Sequence, residues 1–287
     1  MNQRPVLKKQ IILTGSAIAL VAVLFLFGRT VAHKDSAPPV TTSQINKFDI
    51  EHFISDARAQ LTPSQVVSLS ALENSVKRGD IGPQQAVANT RLAAFWRDSA
   101  HVFEPYAWYL SEAAKLDKSE KNLTFAARLI LANLRGEPDE AKLGWKADLS
   151  IDLFQRAIEL DPNNDSLKVG LGSCYVYGKG RFGGPAETMK GIQQLLDVVR
   201  RDSNNMEAQL VLGVGGFVSG QYDKAVDRLK KVIAAQPDNL EAVAYLGDVY
   251  AAKGEKQEAI RYYEMSKKLA NNPEYTKEVD ERIKTLK

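Results

Sequence analysis

Two stretches of this 287-residue chain repeat one another 34 residues apart. Leu212, Gly213, Gly220, Ala225 and the helix end Ala235 to Pro237 are followed by Leu246, Gly247, Gly254, Ala259 and a similar helix end. A fixed period of this size means stacked units, and that restricts the fold severely. A pair of short antiparallel helices cannot bury all its apolar surface alone, so each pair must pack on the next through small residues that permit close approach. Ala225 and Ala259 are the residues expected at such contacts.

The pattern resembles the tetratricopeptide repeat family: Leu-Gly in the first helix, an aromatic three residues later, a small residue in the second helix, then an aromatic, another small residue and a terminal proline. The last unit carries it as Leu246, Gly247, Tyr250, Ala259 and Tyr263, with Ser266 at the second small position and Pro273 displaced by two. The unit before it has Leu212, Gly213, Ala225 and Pro237, with Gly216 and Leu229 in place of the aromatics. Upstream, Leu171, Gly172 and Tyr175 repeat the first-helix pattern, but Gly172 precedes Gly213 by 41 residues, and the excess falls in Tyr177 to Pro185. Phe154, Ala157, Leu160, Asp161 and Pro162 form a second-helix ending; Leu116, Asp117 and Leu123 are a fainter copy, followed by an insertion from Gly136 to Gly144. The resemblance implies an all-α, right-handed α-solenoid over 121–273, with units near 121–164, 165–205, 206–239 and 240–273.

Residues 48–120 are expected to be helical as well. Thr62, Pro63 and Gln65 make a capping-box-like start, and Val66, Val67, Leu69, Leu72 and Val76 form an apolar stripe up to about Lys77. Gly82 and Pro83 open a second helix bearing Ala86, Val87, Leu92, Phe95 and Trp96, so 62–98 reads as a helical hairpin ahead of the repeats. The helix from Pro105 serves as the second helix of a degraded unit. At the other end, 274–287 alternates charges with few apolar residues, as suits a capping helix with one face in water.

After a short tail, 1–10, Ile11 to Gly28 is an uncharged run of 18 residues. As a helix it is ~27 Å long, enough to span the hydrocarbon core, which predicts a single transmembrane helix; a cleaved signal peptide ending near Thr30, Val31 and Ala32 is the alternative. Arg4, Lys8 and Lys9 precede the run, while Arg29 and Lys34 follow it. The bias keeps the amino terminus cytoplasmic and exports the repeats. The run 29–47 is polar and contains Pro38 and Pro39, as expected of a spacer. Five of the 38 Lys and Arg lie in the first 34 residues, leaving 33 against 35 Asp and Glu in the remainder. A body so nearly neutral does not present a field for nucleic acid.

No constellation for catalysis, metal or cofactor is visible. His33, His52 and His101 are scattered, and Cys174, the only cysteine, lies in a core-facing stretch. GKGRFG, Gly178 to Gly183, has dinucleotide-loop spacing but follows a helix expected to end near Val176, with no strand before it, so an inter-helix turn is expected. The aromatics Phe95, Trp96, Tyr106, Trp108 and Tyr109 are assigned to the core. In the family, first helices line a concave groove, which implies Leu210, Val214, Phe217, Ala244 and Asp248 as peptide-groove residues. The expectation is a non-catalytic scaffold or adaptor, tethered to the inner membrane with its repeats exported to the periplasm, that binds a protein or peptide in the cell envelope. A structural subunit of an oligomeric membrane complex is the alternative, and a nucleotide-using enzyme relying on Lys179 the third class.

Overall fold

The computed structural model describes residues 47–77 and 82–287. The predicted membrane span, its flanking charges, His33 and most of the spacer lie outside the described residues; among those described, no helix is long and apolar enough to cross a membrane.

Every element of the described part is helical: α1 (Ile50–Ala59), α2 (Pro63–Lys77), α3 (Gly82–Asp98), α4 (Phe103–Asp117), α5 (Glu120–Leu134), α6 (Glu140–Leu160), α7 (Asp165–Ser173), a π-helical turn (Cys174–Lys179), α8 (Gly180–Arg201), α9 (Met206–Val218), α10 (Tyr222–Ala235), α11 (Leu240–Ala252), α12 (Lys256–Ala270) and α13 (Pro273–Leu286). Short polar side chains start them by accepting the first free amides. Asn164, Asn205, Asn239 and Asn272 cap α7, α9, α11 and α13, and Asp139 caps α6. At α2 the Thr62 amide donates to Gln65 Oε1 (2.9 Å) and the Gln65 amide to Thr62 Oγ1 (3.4 Å), the reciprocal pair read from the sequence.

From α5 onward the helices stack as antiparallel pairs: α5 with α6, α7 and the π turn with α8, α9 with α10, α11 with α12. The first helices of successive pairs also touch, α5 to α7, α7 to α9 and α9 to α11. The Leu-Gly signature has a steric cause. A Cβ on Gly213 would lie 2.7 Å from Leu229 Cγ, and one on Gly247 would lie 2.7 Å from Tyr263 Cδ1. The large side chain of each second helix thus rests on the bare backbone of the first, while Ala225 and Ala259 are fully buried between pairs. Helix α13 closes the stack by burying Val279 and Ile283.

Three details differ from expectation. Helix α3 packs more extensively on α4 than on α2, so α3 and α4 together form the pair ahead of α5. In the apolar stripes of α2 and α3, Leu69, Leu92, Phe95 and Trp96 are buried, but Val67 and Val87 are 71% and 53% exposed. The run from Tyr177 to Gly183 is not a turn: helix continues past Val176 through the π turn and breaks only at Gly184 (φ 73°, ψ −166°), after which Pro185 opens the rest of α8. That backbone conformation is open only to glycine, and proline favours a first helical position. The earlier insertion behaves alike, lengthening α6 to 21 residues.

Candidate functional site

The two insertions meet. Leu134, Leu143 and Ala147 form a buried cluster, a Cβ on Gly178 would lie 2.6 Å from Ala147 Cβ, and Lys179 Nζ sits 2.6 Å from Asp148 Oδ1. A π turn widens the backbone by one residue and re-aims the side chains that follow, and here it directs Tyr177 inward. Tyr177 Oη donates to Glu241 Oε1 (2.8 Å), Arg135 Nη1 pairs with Glu241 Oε2 (2.5 Å), and the Arg135 guanidinium lies 4.2 Å from the Tyr177 ring centroid. These residues come from the end of α5, the π turn and the start of α11, so the bridge ties the first described repeat to the fourth across the face lined by first helices. Tyr177 is 3% exposed; burial, then the Glu241 charge, pushes its phenol well above the usual tyrosine value.

The five groove residues inferred from the family separate on this geometry. Leu210 and Val214 are buried in the core shared by α7 to α13. Asp248 is half-buried and engaged: Tyr263 Oη donates to its Oδ1 (2.7 Å), and Arg282 Nη1 donates to the same atom (3.0 Å). Burial raises its carboxyl above the ordinary value despite these donors. Phe217 and Ala244 remain half-buried. Phe217 packs edge-on against Tyr245 at 6.1 Å between ring centroids, and against Tyr222 at 6.3 Å. Tyr245, which the family pattern did not mark, is pushed up to about 12 by burial, then by Glu241 and Asp248, against the opposing charges of Arg135 and Arg181. Arg181, whose charge reaches Tyr245, belongs to the lengthened first helix, and its guanidinium lies 5.4 Å from the ring centroid of Phe182, which is 42% exposed. Of the five inferred residues, Phe217 and Ala244 thus keep accessible surface free of polar partners, with Tyr245 beside them.

Elsewhere the reactive groups have structural partners. Cys174 is fully buried, donates to Ser150 Oγ (3.1 Å) and has its thiol pushed up to about 12 by burial, far from a nucleophile's range. Lys146, 1% exposed, holds Asn133 Oδ1 (2.7 Å), Glu137 Oε2 (2.5 Å) and Glu104 Oε1 (3.3 Å), a closed charge cluster between α4, α5 and α6. His52 is exposed beside Asp56, and His101 occupies a positive-φ turn. No group of three or more His, Cys, Asp and Glu among the described residues is placed to hold a metal ion. The Gly178 to Gly183 amides lie inside helix, where they cannot cradle a phosphate as a loop would.

Residues 219–277 match the tetratricopeptide repeat family model. No curated protein matches the chain. Among solved structures the chain is similar to a thermophilic tetratricopeptide repeat protein from Thermus thermophilus, TTC0263, with 18% identity over 70% of this chain and 98% of that one and a TM-score of 0.50. It is also similar to MamA (41-end) from Desulfovibrio magneticus, with 17% identity over 67% and 97% of the two chains and a TM-score of 0.46. YrrB, described as a tetratricopeptide repeat protein with an unusual peptide-binding site, gives 16% identity over 74% and 98% and a TM-score of 0.43. At such identities the likeness concerns the fold.

Proposed function

We propose that this tetratricopeptide-repeat chain is a membrane-tethered, non-catalytic adaptor that binds a protein or peptide of the cell envelope on the inner face of its last two repeats. The observation that carries this reading is the half-buried aromatic pair Phe217 and Tyr245 on neighbouring first helices, next to the small residue Ala244. Aromatic rings at a partly open, rigid surface supply large contact area at little entropic cost, the usual composition of an anchor position. The Arg135, Tyr177 and Glu241 bridge confines binding to this end, because it occupies the inner face nearer α7. Tethering through residues 11–28, with the repeats exported, raises the effective concentration of this surface toward membrane partners.

The test is site-specific photocrosslinking in cells from position 217 of the full-length protein, with the exposed Lys230 of α10 as a control position, followed by carbonate extraction of the membranes. A discrete crosslinked protein from 217, absent from 230 and lost on Ala244→Glu, in a carbonate-resistant fraction, supports an anchored adaptor. The same products from both positions would overturn the inner-face assignment. Release by carbonate would overturn the tether, and crosslinks only between two copies would turn the reading to a structural subunit.

A further inference from the structure

A cleft of about 730 Å³ opens between the end of α8, α9 and α10. Its apolar floor is Leu196 and Val199, and its walls carry Lys224, Arg228 and Lys231 with the acid Asp227, beside Arg200, which pairs with Asp197 (3.2 Å). The chain is near neutral beyond its amino-terminal 34 residues, so this is a local concentration of positive charge. What distinguishes it from an ordinary solvated helix face is how the cations are held. Arg228 Nη1 donates to Gln209 Oε1 (2.6 Å), and Gln209, 2% exposed, uses its Nε2 to donate to the Ser203 carbonyl (2.7 Å). Lys231 Nζ donates to that same carbonyl (2.6 Å), and Lys224 Nζ to Gln221 Oε1 (2.8 Å).

All these acceptors are neutral. Among the described residues no ion pair joins Lys224, Arg228 or Lys231 to a carboxylate, whereas Lys115, Lys253, Lys267 and Arg282 each pair with two. A fixed cation whose charge is not neutralised pays little ordering entropy when an anion arrives, and charge-assisted bonds to it are the stronger kind.

We propose that this cleft binds an acidic segment of a protein partner, one that places carboxylates against Lys224, Arg228 and Lys231 and an apolar side chain on Leu196 and Val199. Charge complementarity sets the sign of the partner, and the apolar floor sets its class. A nucleic acid or a lipid surface offers phosphates over a broad front and has nothing for a recessed leucine and valine. The cleft is built largely by the second helices α8 and α10, away from the Phe217 and Tyr245 pair on first helices, so this inference stands independently of the inner-face proposal.

The experiment is fluorescence anisotropy of the full-length protein in nanodiscs with a labelled twelve-residue peptide of alternating Glu and Leu, beside the same peptide with Gln for Glu. The Glu peptide is expected to bind and the Gln peptide not. Affinity is expected to fall about tenfold in Arg228→Gln/Lys231→Gln, and again in wild type on raising salt from about 50 to 300 mM. Lys224→Glu, at an exposed position where folding is not at stake, is expected to weaken binding similarly, while the same change at the exposed Lys256 of α12 leaves it unchanged. Equal binding of both peptides, or an unaltered affinity in Lys224→Glu, would overturn the proposal. So would tighter binding of a single-stranded oligonucleotide or of phosphatidylglycerol vesicles than of the Glu peptide.

Discussion

The bridge across the inner face makes a quantitative prediction, because its two identified bonds join segments far apart in the chain, Arg135 and Glu241 being 106 positions apart. In Tyr177→Phe the ring keeps its packing and its place over Arg135, and only the hydroxyl that donates to Glu241 is lost. A hydrogen bond to a charged acceptor contributes about 1.5 to 3 kcal/mol when buried. Glu241 retains 24% side-chain exposure, so water partly replaces the lost donor, and a cost of about 1 to 2 kcal/mol follows. Glu241→Gln removes the charge shared by both partners and costs a similar amount. In the double variant the hydroxyl has no charged acceptor left to lose, so the two effects do not add, and the coupling energy is expected at about 1 kcal/mol. Urea unfolding of the wild type and the three variants measures it, with hydrogen exchange at the first turn of α11 as a local readout. Coupling within about 0.3 kcal/mol of zero would refute the bridge as an interaction, and protection at α11 unchanged by Tyr177→Phe would refute its role in holding the fourth repeat.

Two further perturbations probe the stack. Lys146→Met strands Glu104 and Glu137 in a buried site and is expected to destabilise the protein by about 3 kcal/mol at neutral pH, since removing one partner of a buried ion pair leaves an uncompensated charge. Burial acts to raise the Glu137 carboxyl, but the Lys146 bond, the Asp139 amide and the neighbouring lysine charges hold it below its usual 4.5. Its contribution is therefore present above that value and lost as pH falls through the depressed one, so the gap between wild type and variant narrows on acidification below the ordinary carboxylate value; a gap that widens on acidification would refute the assignment. Of two helical glycines, Gly191→Ala would put a Cβ 2.6 Å from the Gly172 carbonyl oxygen, a backbone atom, whereas Gly144→Ala meets nothing within 4 Å. The first is expected to lower stability by about 2 kcal/mol and the second to raise it by about 0.5 to 1 kcal/mol, read as opposite shifts of the urea midpoint; shifts of the same sign would contradict the packing described.

How far the chain could be read in advance depended on the range of the interactions. The 34-residue signature is legible because its cause is local: Gly213 under Leu229 and Gly247 under Tyr263 lie sixteen residues apart, within one helix pair, and recur at the same spacing. The start at Thr62 and Gln65 was legible for the same reason, whereas the asparagines at 164, 205, 239 and 272, a boundary signal as regular as the leucine-glycine pair, emerge only from the structure. The glycine-rich run misled because glycines usually mark a turn. Here Gly178 allows the close approach of the π turn to Ala147, a requirement set by the other insertion rather than by its own neighbours.

The inner face lay beyond local pattern altogether. Position within a repeat says which side chains point inward, but whether an inward residue is free depends on what else reaches that space. Leu210 and Val214 sit at inward family positions and are buried, and Asp248 at another is held by Arg282 of the capping helix. The insertions decide the outcome. By lengthening α6 and extending α7 through the π turn, they supply the surface that carries Arg135 and Tyr177 to Glu241, filling the middle of a face that a regular stack would leave open. A regular repeat frame therefore overstates the groove. Phe217, Ala244 and Tyr245 keep part of their surface beyond the reach of the bridge, and a contact centred on them would be shorter than the solenoid that presents it.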